Sequence, residues 1–98
     1  LMHPTHYGNW GQSLAEATIA AGTSTTPHRH HIIDEIYHVT AGRGVMSIEG
    51  DRFEIEQGDT IAIPRGCKHA VDNNGDDPLV ILCACAPPYS HEDTELCN

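Results

Sequence analysis

The sequence is cut into short runs by turn-forming residues at intervals too brief for helices. Gly22, Gly42 to Gly44, Gly50-Asp51, Gly58-Asp59, Pro64 to Gly66 and Asn73 to Pro78 interrupt it, and no 3.6-residue apolar period is sustained between them. What lies between is β-type: SLAEATIA, HRHHII, EIYHVT, VMSIEG, RFEIE, TIAIP, HAVDN and LVILCACA. Short alternating strands at this spacing predict an all-β fold, a β-barrel or sandwich such as the jelly roll. VMSIEGDRFEIE reads as a hairpin turning at Gly50-Asp51, a favourable two-residue turn. In the tail, PPYSHEDTELCN, Ser90 is expected to cap a short helical turn with Asp93 three residues on.

Composition narrows the partners. With 98 residues and 39% hydrophobic side chains, the chain has material for one compact core. Five Lys plus Arg against 14 Asp plus Glu give a formal charge of -9, which argues against nucleic acid, since that affinity rests on cationic side chains neutralising phosphates. No apolar run approaches the roughly 20 residues of a membrane-spanning helix, so no membrane partner and a soluble protein are expected. The sequence opens at Leu1 rather than Met, which is compatible with a longer precursor. Cys83 and Cys85 share one face of LVILCACA, and neighbours at i and i+2 of a strand are poorly placed to bond each other. Reduced, buried thiols and a cytoplasmic setting are the reading that follows.

The stretch PHRHHIIDE, Pro27 to Glu35, carries three histidines and two acids in nine positions. Side chains two apart on a strand share a face, so His28 and His30 pair while Arg29 and His31 turn away. If the chain turns near Ile33 and Asp34, then Glu35, Tyr37 and Val39 face the same interior, and Glu35 meets the two histidines across the sheet. Two imidazoles and a carboxylate converging on a cavity make a site for a divalent transition metal. His69, delivered by the tight Pro64-Arg65-Gly66 turn, is the candidate fourth ligand.

Gly22 to Gly42 read G-x5-H-x-H-x4-E-x6-G, and Gly58 to Asn73 read G-x5-P-x-G-x2-H-x3-N, with fifteen residues between them. Both motifs, complete, resemble the two signature motifs of the cupin family, over about half the chain. The resemblance implies a small single-domain cupin β-barrel, a double-stranded β-helix of the jelly-roll kind. Residues 1–98 would form one domain, with a core barrel over about 13–86, an N-terminal arm and a C-terminal tail. It also implies one divalent transition metal (iron, manganese, nickel, copper or zinc) held by His28, His30, Glu35 and His69. Related cupins commonly pair, and the outward groups Ile36 and His38 need covering, so a homodimer is expected.

The remaining singular residues have plainer expectations. His31 and His38 lie opposite the ligands and suit surface or subunit contacts; His3, His6 and His91 lie in the termini and are expected in solvent. Cys67 reads as a packed thiol and Arg65 as a solvated turn arginine. Tyr37 lines the pocket or fills the barrel. Tyr7, Trp10 and Tyr89 either close a small-molecule pocket or form a dimer contact. Four protein ligands leave up to two octahedral positions open, where a small polar metabolite can be polarised as in isomerase, epimerase or lyase chemistry. The alternatives are a metal-dependent dioxygenase and a non-catalytic binder of a sugar or other small metabolite. No general base stands beyond the ligands except Tyr37 or a metal-bound hydroxide.

Overall fold

A computed structural model of the chain describes residues 11–90 and 92–97. His3, His6, Tyr7, Trp10 and His91 lie outside these residues. The elements are β1 (Ser13–Ile19), β2 (His28–His30), β3 (Asp34–Ala41), β4 (Arg43–Ile48), β5 (Asp51–Glu56), β6 (Thr60–Ile63), β7 (His69–Asp72), β8 (Leu79–Ala86) and β9 (Thr94–Leu96). Among the described residues there is no helix, so none that could cross a membrane. The fold is all-β, as the punctuation predicts.

Two antiparallel sheets face each other: β1-β8-β3-β6, and β5-β4-β7-β2-β9. Strand parity sends one set of side chains into the space between them. Tyr37, Val39, Ile61, Ile63, Leu79 and Ile81 enter from the first sheet, and Met46, Ile55 and Val71 from the second. Val39, Met46 and Leu79 are fully buried; burying such a side chain stabilises by about 1.5–3 kcal/mol relative to exposure.

The registers order this interior from end to end. Glu35 lies between Ile63 and Cys85, and Tyr37 between Ile61 and Cys83, on the two neighbours of β3. Ile19 pairs with Leu79 at the opposite end. That far end is closed by Asn73, the last residue of the second motif. Its buried amide donates to the carbonyls of Ile19 (2.9 Å) and Asp77 (2.8 Å) and accepts from the Gly75 N–H (3.0 Å). Asn73 is therefore a structural residue.

Three local expectations are corrected. The strand HRHHII stops at His30, and a bend follows at His31 and Ile32, where the Asp93 carboxylate accepts from the Ile32 and Ile33 N–H groups. That capture takes donors a longer β2 would place in its ladder. The hairpin turns at Glu49-Gly50, one residue earlier than expected, with Ile48 opposite Asp51. A two-residue turn of this hand needs positive φ at both positions, and Glu49 (φ 50) and Gly50 (φ 88) supply it. Glu49 is held there by Lys68, whose N–H donates to its carboxylate (2.7 Å) and whose carbonyl accepts from its N–H (2.8 Å).

In the tail, the Ser90 hydroxyl does accept from the Glu92 N–H, but the chain leaves the turn as β9 rather than a helix. Antiparallel pairing with β2 satisfies its backbone, and the Asp93 side chain is already committed to the bend.

Gly42, which ends the first motif, adopts φ 82, and a Cβ there would run into the Pro78 carbonyl oxygen and approach the Leu79 Cα at 3.0 Å. Left-handed backbone alone costs a side-chain-bearing residue about 1–2 kcal/mol, and the backbone neighbours cannot swing aside. Gly42→Ala is expected to lower unfolding free energy by at least about 2 kcal/mol, read from the midpoint of urea denaturation; an unchanged midpoint would refute this reading.

Candidate metal centre

Four side chains converge at the end of the barrel opposite Asn73. β2 contributes His28 and His30, β7 opens with His69, and β3 contributes Glu35 from the other sheet. His28 and His69 are cross-strand partners with ring centroids 4.2 Å apart. His30 sits 5.2 Å from His28 and 5.8 Å from His69. One donor atom from each of the four residues lies within 4.8 Å of the others. The turn before β7 is tied in place, since the Gly66 N–H donates to the His30 carbonyl.

The donor atoms are unusual in what they lack. Glu35 Oε1 lies 3.1 Å from His69 Nε2 and 3.5 Å from His30 Nε2, yet these three buried atoms have no hydrogen-bond partner. Buried polar atoms are nearly always paired, and the only other such atom among the described residues is Arg29 Nε. A cation coordinated by all three would satisfy them together, so the residues present fit a metal ion.

The other ring nitrogens settle the tautomers. His28 Nδ1 lies 3.0 Å from the Thr26 carbonyl and His69 Nδ1 3.0 Å from the Cys67 carbonyl. A carbonyl only accepts, so each Nδ1 carries a proton, and in the neutral ring Nε2 then presents a lone pair. His30 Nδ1 lies 3.1 Å from Thr94 Oγ1, whose own proton goes to the Ser90 carbonyl at 2.9 Å. Thr94 must therefore accept, and His30 too presents Nε2. Partners of this kind orient metal-binding imidazoles and raise their basicity.

Glu35 is oriented as well. The Cys85 thiol, its cross-strand neighbour, donates to Oε2 at 3.4 Å, which leaves Oε1 facing the imidazoles. Burial pushes the Cys85 thiol up to about 12, helped by the Glu35 charge, and Cys83 likewise to about 12. Both remain protonated at neutral pH. Burial lowers the His30 pKa, against an opposing pull from Glu35, so the neutral imidazole is favoured. For Glu35 burial works to raise the pKa, but His69, His30 and Cys85 together outweigh it and hold the carboxyl below its ordinary value. A divalent ion needs its imidazole ligands neutral and its carboxylate ligand ionised.

The structure brings together the three histidines and the glutamate of the motifs, His28, His30, Glu35 and His69. It corrects one point: Glu35 meets the histidines across the barrel interior, not across a sheet, because the bend at His31 and Ile32 carries the chain from one sheet to the other. His31 lies outside, 2.9 Å from the Glu95 carboxylate, and His38 Nδ1 contacts the Thr60 hydroxyl at 2.8 Å. Arg65 is exposed in its turn, as expected, and its guanidinium donates to the Asp34 carboxylate at 3.1 and 2.8 Å. Cys67 packs against the core. Tyr37 is buried in the barrel, its ring edge-on to His69 at 5.8 Å, so it fills the barrel and borders the site at once. Tyr89 stands edge-on to the His30 ring at 5.7 Å.

Two contributors escape a reading of the sequence: Cys85, which needs the β3-β8 pairing to be known, and Thr94, which lies far from any motif. LVILCACA in phase with EIYHVT is the one signal that could have pointed to Cys85.

Comparison with known proteins agrees with this geometry. An uncharacterized protein of Methanocaldococcus jannaschii is 48% identical over 96 residues, covering 98% of this chain and 77% of its own length. An oxalate-binding protein of Thermotoga maritima is 30% identical over 74 residues, covering 76% of this chain, which spans 61% of that protein. The crystal structure of a Thermotoga maritima protein described as a predicted oxalate decarboxylase superposes with a TM-score of 0.81 at 26% identity, over 89% of this chain and 76% of that one. In another structural relative, from Acidithiobacillus ferrooxidans, this chain spans only half the length. The family model described as a cupin domain matches residues 15–85; the chain belongs to the cupin family.

Proposed function

We propose that His28, His30, Glu35 and His69 bind one divalent transition metal, and that the loaded centre takes a small polar metabolite as its ligand. The observation that supports this most is the trio of buried, partnerless donor atoms, His30 Nε2, His69 Nε2 and Glu35 Oε1, meeting at one point. Three neutral imidazoles and one carboxylate suit iron, manganese, nickel, copper or zinc. The four free thiols fit a cytoplasmic setting.

A bound divalent ion supplies Lewis acidity, polarising an oxygen of the metabolite, as isomerase, epimerase and lyase reactions require. The chain's own residues do the rest. Glu35 and the histidines fix the centre, Cys85 and Thr94 orient their rings and carboxylate, and Tyr37 borders the ligand space. Burial and the Glu35 charge push the Tyr37 phenol well above its usual value, so it stays protonated. It serves as a hydrogen-bond donor to the ligand and not as a resting base.

A second reading, binding without turnover, is supported by the similarity to an oxalate-binding protein. A ligand that is retained unchanged by the metal-loaded protein would mark it.

Replacing His30 or His69 with Ala is expected to remove stoichiometric metal in elemental analysis, while His31→Ala and His38→Ala leave it near the unmodified level. Full retention in both of the first two variants would overturn the assignment.

The homodimer belongs to the same proposal. Leu14, Ala84, Ile36 and Ala62 form a row across the outer face of the first sheet, with Leu14 37% and Ile36 47% exposed. The next row is Glu16, Leu82, His38 and Thr60. In a chain of charge -9, these two rows carry a single carboxylate, so a second copy meets apolar surface there with little repulsion. Light scattering at micromolar concentration is expected to give the dimer mass; the monomer mass would contradict the pairing.

A further inference from the structure

The three imidazoles are anchored in two different ways. His28 and His69 each donate Nδ1–H to the carbonyl two residues earlier on their own strands, Thr26 and Cys67. Those anchors come with the local backbone. His30 has no such local partner; its Nδ1 is received by Thr94, 64 residues away. Thr94 lies in a segment beyond the span matched by the family model, which ends at residue 85.

The same segment holds the ligand-bearing strand as a whole. β2 is three residues long and pairs with β7 at a single position, His28 opposite His69. All three of its residues pair with β9: His28 with Leu96, Arg29 with Glu95, His30 with Thr94. The Cys97 N–H donates to the Pro27 carbonyl at 2.8 Å, just before β2. Asp93 accepts from the Ile32 and Ile33 N–H groups just after it. Tyr89 adds its ring in an edge-on contact with His30.

We propose that the described tail residues Tyr89, Ser90 and Asp93 to Cys97 are a working part of the metal centre, a clamp through which Thr94 sets the tautomer and orientation of His30. This rests on the metal-binding reading above and deepens it. Thr94 is a positioning residue: it acts on the metal only through His30. The coupling is reciprocal by linkage. A docked tail raises metal affinity, and bound metal holds the tail down. The Thr94 hydroxyl can play this part because the Ser90 carbonyl takes its only proton, leaving it an acceptor toward the imidazole.

The test titrates Ni2+ into the full chain, stripped beforehand with a chelator, by isothermal calorimetry. Thr94→Val keeps shape and removes the acceptor; it is expected to weaken Ni2+ binding about 10- to 100-fold, the usual penalty for losing such a partner. Thr94→Ser, which restores the hydroxyl, is expected to bind close to the unmodified chain. Valine binding as tightly as threonine, or serine failing as badly as valine, would overturn the clamp.

Amide exchange in the unmodified chain is the second measurement, and it decides if Thr94→Val also melts earlier without metal. Saturating Ni2+ should slow exchange of the Thr94 to Cys97 amides, and unchanged exchange there would refute the coupling. An unmodified chain that takes up no Ni2+ would bring down the metal reading itself, a result distinct from either failure of the clamp.

Discussion

A carboxylate oxygen and two imidazole nitrogens buried at one point, none of them hydrogen-bonded, set the terms for the rest of this barrel. Leaving a buried polar group unsatisfied costs about 1–3 kcal/mol each, and more when it is charged. A small domain whose whole stability is of order 5–15 kcal/mol keeps such a cluster only if the fold around it is rigid. The surroundings match that demand. Each imidazole is fixed by its second nitrogen, Glu35 is fixed by Cys85, and the aliphatic layer of Val39, Ile61, Ile81 and Met46 begins directly beneath. A divalent ion bound there would turn the unsatisfied trio from a cost into a stabilising centre and would contribute to the folding free energy.

The division of labour within the two motifs follows. Their histidines and glutamate converge on the site, whereas Gly42 and Asn73 serve the opposite end. Gly42 takes a positive φ beneath the Pro78 carbonyl, and Asn73 ties the loop between β7 and β8 to the end of β1 at Ile19. The spacing of each motif is thus the length of chain needed to run from one end of the barrel to the other, and the ligands sit where that run meets the site.

Much of this was legible in residue order alone, and the reasons are specific. Period-2 alternation placed Glu35, Tyr37 and Val39 together inside, and glycine and proline punctuation marked eight of the nine strands among the described residues. Long-range pairing was not legible. Parity says that His30 and Glu35 both face inward, but not that they come from different sheets; that depends on a bend held by Asp93, 60 residues downstream. Cys83 and Cys85 read as inert core thiols until β8 is known to lie beside β3, which sets Cys85 on the carboxylate that orients toward the imidazoles. The tail is legible in part for a related reason: Ser90 makes its local turn as expected, while the Asp93 carboxylate goes to the Ile32 and Ile33 amides and β9 pairs with β2, contacts that residue order does not show.

The central claim, that three neutral imidazoles and one carboxylate hold a single ion, is tested most directly by thermal melting with and without a chelator at pH 7.5 and at pH 5. Imidazoles coordinate only when neutral, and their unperturbed pKa is about 6.5. His30 is lowered further by burial. A lowered pKa means that the associated stability is fully present above the unfolded value and is lost as pH falls through the folded one. Glu35, also lowered, gives up its charge only under more acidic conditions. The account predicts a chelator-sensitive melting temperature at pH 7.5 and a much smaller chelator effect at pH 5. An equal chelator effect at both pH values, or none at pH 7.5 with metal supplied, would contradict it.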